Sequence, residues 1–131
     1  MARRRLRVTF PGGCMSPRVH ALLIWAPRLA GIAVTLFLAL FALDAFDGRP
    51  LAEAIPAFVM HLAPAAIVAA VVAAAWRHPW VGAAGFAALA AAYAAWVPQR
   101  PDWILVIFGP LAVTAMLFAL SAFGAARHAR A

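Results

Sequence analysis

The 131-residue sequence contains no lysine, one cysteine, one tyrosine and four acidic residues. A single cysteine, Cys14, rules out an intrachain disulfide and any CxxC redox or zinc motif. The acids are Asp44, Asp47, Glu53 and Asp102, and none falls inside a long apolar run, so paired carboxylates for acid–base chemistry are missing. Only 11% of residues are charged and 67% are hydrophobic, against about 25% and about 45–50% in a soluble domain. Mean hydropathy is +0.93. A chain this short has no interior able to hide such a surplus. Lipid is the solvent that remains.

What the chain carries instead is arginine, eleven of them, giving a formal net charge of +7 and a pI near 11.8. On a folded polar surface that excess would suggest nucleic acid. Here the arginines cluster at the ends of apolar runs, where the positive-inside tendency accounts for them. No nucleic-acid partner is expected; the lipid bilayer is.

A bilayer core about 30 Å thick needs roughly 20 apolar residues at about 1.5 Å each. Four runs qualify: 21–43, 54–76, 80–97 and 103–124. The connectors between them are short and turn-like, with Asp-Gly-Arg-Pro at 47–50, His-Pro at 78–79 and Pro-Gln-Arg-Pro-Asp at 98–102. Short connectors force neighbouring spans to be antiparallel. The runs lack the period-two alternation of a membrane barrel, and a continuous apolar run in lipid must satisfy its own backbone. The expected fold is all-α, an integral-membrane antiparallel bundle of four transmembrane helices. Residues 1–20 form a basic cytoplasmic leader, 21–124 the helical domain and 125–131 a basic cytoplasmic tail.

Orientation follows from charge. With the N-terminus inside, Arg3, Arg4, Arg5, Arg7, Arg18, Arg77, Arg127 and Arg130 are cytoplasmic, and only Arg49 and Arg100 lie outside. The reading is therefore N-in and C-in, in a bacterial inner membrane. Trp25, Trp76 and Trp80 then form an inner belt and Trp96 and Trp103 an outer one, as expected for interfacial anchors. The leader fits neither a lipoprotein signal, because no apolar stretch precedes Cys14, nor a cleavable signal, because the run after Arg18 is too long. Met15 offers an alternative start, which would make residues 1–14 a gene-model extension.

Few side chains offer chemistry. Arg28, early in the first run, reads as an anchor whose stem snorkels to the inner interface, with Pro27 near the first helical turn; the alternative is an anionic contact in a groove at that face. His61 is the one ionisable group well inside a run, roughly 10 Å below the outer end of the second helix. Asp44, Tyr93 and His61 reach similar levels, with candidate helix breaks beside them at Pro64, Gly109 and Pro110. They define a candidate outward-facing polar pocket; alternatively His61 bonds a neighbouring helix and stays neutral. Thr35, Thr114 and Ser121 read as helix-to-helix hydrogen-bonding residues.

Haem is not expected, because His20, His78 and His128 lie outside the spans and leave His61 without an axial partner. No metal, cofactor or catalytic constellation is expected, and the chain is not read as an enzyme. A proton-coupled four-helix exporter would want a carboxylate inside its first helix, which is missing. In the third run Ala83, Ala87, Ala91 and Ala95 form a stripe at i, i+4 spacing, a candidate contact for a membrane-protein partner or a second copy.

The pattern Trp25-Ala-Pro-Arg28, Phe41-Ala-Leu-Asp44-Ala-Phe46, His61-Leu-Ala-Pro64, Ala75-Trp76-Arg77 followed by Gly82, and Trp103-Ile-Leu to Gly109-Pro110-Leu111 resembles a family of small uncharacterised bacterial four-helix integral membrane proteins. The resemblance covers nearly all of residues 22–123 and implies an inner-membrane location without an established activity. Two functional classes stand: a structural or accessory membrane protein and, as the alternative, a protein that binds or transports a small solute or lipid near His61.

Overall fold

The computed structural model describes residues 16–46, 48, 50–97 and 101–128, with residues 17, 101–104, 127 and 128 described by their backbone only. The leader with Cys14 and Met15, together with Asp47, Arg49, Arg100 and Arg130 and the side chains of Asp102, Trp103, Arg127 and His128, lies outside the described residues.

Among those residues every regular element is helical: α1 Pro17–Ala42, a 3-10 turn Leu43–Phe46, α2 Leu51–Ala75, α3 Pro79–Trp96 and α4 Pro101–His128. The Ser16 hydroxyl starts α1 by accepting a bond from the Val19 N–H at 3.4 Å. Pro17 follows at the first helical position, where its missing N–H is no loss. The helix thus begins about a turn before the apolar run, and Pro27 lies buried in its interior rather than near its first turn. Gly48, at φ +70°, supplies the left-handed residue that turns the chain between the 3-10 segment and α2.

The candidate breaks at Pro64, Gly109 and Pro110 are not breaks. Helix α2 runs unbroken through Pro56 and Pro64, and α4 through Gly109 and Pro110. A proline deletes one rung of the ladder, and the turns on either side hold the helix together. In α4 the Thr114 hydroxyl donates to the Pro110 carbonyl at 2.7 Å, and in α1 the Thr35 hydroxyl donates to Gly31 at 2.9 Å. Both threonines therefore bond to their own helix one turn back, not across to a neighbour.

The helices stand in ring order, each beside its chain neighbours, with α1 closing the ring against α4. The α3–α4 contact is the most extensive of the four and the α2–α3 contact the least. The core joins Val34 of α1, Val68, Val72 and Ala75 of α2, Phe86 and Ala90 of α3, and Leu111, Ala115 and Phe118 of α4. Phe86 and Phe118 stack with centroids 5.7 Å apart, and Phe86 is 0% exposed. Helix α3 approaches closely at Gly82, where an added Cβ would lie 2.7 Å from the Phe118 ring and 2.8 Å from Ala75 Cβ. The stripe that packs is thus Gly82, Phe86 and Ala90, all buried, while Ala87, Ala91 and Ala95 of the alanine stripe are exposed.

Large apolar side chains cover the outside: Met60 is 76% exposed and Leu105 74%. A water-soluble monomer does not carry apolar surface on this scale. Three helical segments, Arg18–Phe46, Leu51–Ala75 and Leu105–Ala126, are long and apolar enough to cross a membrane. Helix α3 is shorter, at 18 residues, and is not among those three segments.

Candidate functional site

One end of the bundle gathers the start of α1, the end of α2, the start of α3 and the end of α4. The opposite end carries the 3-10 turn and the α3–α4 connection. Each end has a concavity, and the two differ in size and chemistry.

At the end with the 3-10 turn, all four helices surround a cavity of about 680 Å³. That volume lies within the roughly 300–1,000 Å³ of small-molecule sites. Helix α2 contributes His61 and Pro64, and α3 contributes Tyr93 and Trp96. The exposed lining residues, Met60, His61, Pro64 and Ile67 on α2 and Ala92 and Trp96 on α3, all lie on these two helices. The opening is therefore lateral, between α2 and α3, where helix contact is least. Leu38 and Phe41 of α1 and Ile107 and Leu111 of α4 close the back with apolar surface.

Two polar side chains interrupt that surface. The His61 ring places Nδ1 2.7 Å from the carbonyl of Ala57, one turn back on its own helix. A carbonyl can only accept, so Nδ1 carries the proton, and in the neutral ring Nε2 offers a lone pair. Neither Nε2 nor the Tyr93 hydroxyl has a protein partner among the described residues. The site thus presents an acceptor and a hydroxyl within an otherwise apolar chamber.

His61, Pro64 and Tyr93 share this cavity, whereas Asp44 sits exposed on the 3-10 turn and is not among its lining residues. Gly109 and Pro110 also stay outside the lining. The walls are largely apolar where the sequence pointed to a polar pocket. Among the described residues His61 bonds neither a neighbouring helix nor a carboxylate.

The end where α1 starts is tighter. Arg28 is half-buried, and its Nη2 donates to the Trp76 carbonyl at 3.2 Å. Trp76 is the C-cap of α2, so the guanidinium satisfies a carbonyl that the ended helix leaves open and sits at the negative end of its dipole. Its Cζ also lies 4.9 Å from the Trp76 ring and 5.8 Å from that of Trp25, which holds the cation between two indoles. A cleft of about 150 Å³ beside it is lined by His20, Leu23, Arg28, Phe118, Ser121 and Gly124, among others. The Trp80 ring packs edge-on against Phe123 at 4.7 Å. Trp25, Trp76, Trp80 and Trp96 are all exposed, the last at 85%.

Among the described residues no three His, Cys, Asp or Glu side chains come together in a way that could hold a metal ion. The model of a family described as a domain of unknown function, DUF7670, matches residues 15–131. No curated protein and no solved structure matches the chain.

Proposed function

The chain belongs to that family, and from this premise we propose that it is a four-span protein of the bacterial inner membrane, both termini cytoplasmic, that holds an amphiphile laterally between α2 and α3. The observation that carries the binding role is the cavity of about 680 Å³ whose exposed rim lies on those two helices. Its apolar walls suit an alkyl chain, and His61 Nε2 with the Tyr93 hydroxyl suits a hydroxyl-bearing head. No reaction is assigned; the proposal is for binding.

Several features support the four-span arrangement. At 18 residues α3 is about 27 Å long, close to the hydrocarbon thickness. Exposed Trp80 and Trp96 bracket it as interfacial anchors do. It packs most extensively against α4. The cytoplasmic side is assigned to the basic end, where Arg18, Arg28 and Arg77 lie, while Asp44 and Glu53 lie at the other. A second reading, a structural or accessory role in an assembly, is favoured by exposed Ala87, Ala91 and Ala95, whose small side chains would let another helix approach.

The binding proposal is tested by titrating the full chain in nanodiscs with dodecanol, its methyl ether and dodecane. Dodecanol should bind best, because only it donates to Nε2. His61→Leu should weaken it about fivefold, the scale of one lost hydrogen bond, and Ala92→Phe should block all three ligands by filling the chamber. Equal binding of the three by wild type and His61→Leu contradicts the reading.

A further inference from the structure

Arg28 has more hydrogen-bonding capacity than its neighbours use. A guanidinium has five N–H donors, and the structure engages one nitrogen, Nη2, with the Trp76 carbonyl. Among the described residues no carboxylate approaches it, and its remaining partners are the faces of Trp25 and Trp76. The described acids Asp44 and Glu53 lie at the other end, in the 3-10 turn and the first turn of α2. A half-buried cation fixed on one side and open on the other calls for an anion.

The cleft beside Arg28 fits that requirement. Its volume of about 150 Å³ is below the roughly 300 Å³ where drug-sized sites begin, yet leaves room for a tetrahedral oxyanion. It is also lined by Ser121 of α4, half-buried and without a hydrogen-bond partner among the described residues. His20 of α1 forms part of the same wall. An N–H fork and a hydroxyl facing one small cleft at the level of an indole belt is the donor set that phosphate oxygens take.

We propose that the cleft between Arg28 and Ser121 is a binding site for a phosphoryl group, supplied by a phospholipid head or by free phosphate. It is separate from the amphiphile chamber, which opens near the other end of the bundle, and it does not depend on that reading. In this role Arg28 joins three things at one level: the end of α2, the indole belt and the phosphate of the ligand.

The test uses the full chain in an uncharged detergent, mixed with phosphatidylglycerol or with diacylglycerol of the same acyl chains, and reads retained lipid by native mass spectrometry. Wild type should hold one phosphatidylglycerol about tenfold more tightly than diacylglycerol, as charge-assisted bonds would give. Arg28→Gln should abolish the preference and Arg28→Lys should keep part of it. Ser121→Leu, which fills the cleft and leaves the charge, should abolish it too. Arg18→Gln, at the same end but outside the cleft, should keep it. Because Arg28 also holds the end of α2, Arg28→Lys and Ser121→Leu decide the matter should Arg28→Gln fail to fold. Displacement of the lipid by millimolar inorganic phosphate assigns the site to free phosphate; a preference that persists assigns it to the lipid head. Wild type retaining both lipids equally and gaining no thermal stability from phosphate would overturn the proposal, as would an unchanged preference in both Arg28→Lys and Ser121→Leu.

Discussion

The two ends of the bundle are built from similar residues and pack differently. Near the start of α1 and the end of α4, Gly82 and Gly85 let α3 settle against Phe118 of α4 on one side and Ala75 and Val71 of α2 on the other, and the cleft beside Arg28 is about 150 Å³. Beyond Gly85, α3 has no further glycine, and a chamber of about 680 Å³ opens between α3 and α2. Charge divides the same way, with Arg18, Arg28 and Arg77 at the tight end and Asp44 and Glu53 at the open one. The close glycine contacts of α3 thus fall at the tight end, and that basic end is the one placed on the cytoplasmic side in the four-span reading.

The sharpest way to break this contrast is topological. Fusions of a reporter active only in the cytoplasm should be fully active at residue 131 and inactive within 45–52, and the reverse pattern would place the basic end outside. Next in size is the tight end itself. Gly82→Leu puts a side chain where a Cβ already lies 2.7 Å from Phe118, and should lower stability by about 3 kcal/mol in denaturant titration of the micelle-bound chain. Filling the open end should do the opposite or nothing: Leu89→Phe adds volume at a chamber with room for it, and its effect should stay within about 1 kcal/mol. If the two substitutions cost the same, the ends do not differ in packing.

Much of the fold is readable in the sequence because lipid leaves the backbone one economical solution. Runs of apolar residues bounded by Asp-Gly-Arg-Pro, His-Pro and Pro-Gln-Arg-Pro become four helices, and their order forces the antiparallel ring. Helix α1 begins at Pro17, ahead of the apolar run from residue 21, because Arg18 and His20 precede that run. The Ser16-Pro17 pair was the signal for the true start, an N-cap followed by a proline at the first helical position. Depth along an axis is also readable, which is why His61 and Tyr93 were placed at one level and share a cavity. Rotation about the axis is not. Gly82, Phe86 and Ala90 have the same i, i+4 spacing as Ala83, Ala87 and Ala91, and only packing against α2 and α4 selects the first set as the inner face. Asp44 left the candidate site because the chain turns off into a 3-10 segment there, exposing its carboxylate. Ser121 reads as a routine helix-contact residue, and nothing in its neighbours along the chain announces that it lines one cleft with Arg28.

Trp96 lines the open chamber and Trp80 packs on Phe123 near the other end, so each reports on one half of the molecule. The most direct measurement is therefore quenching by a terminally brominated dodecanol in nanodiscs, compared between two chains that keep only Trp96 or only Trp80. Occupation of the chamber predicts saturable quenching of Trp96, relieved by Ala92→Phe, and weak non-saturating quenching of Trp80. Equal, linear quenching of both tryptophans, unchanged by Ala92→Phe, would mean the alcohol merely dissolves in the bilayer, and the account of a lateral amphiphile site would be wrong.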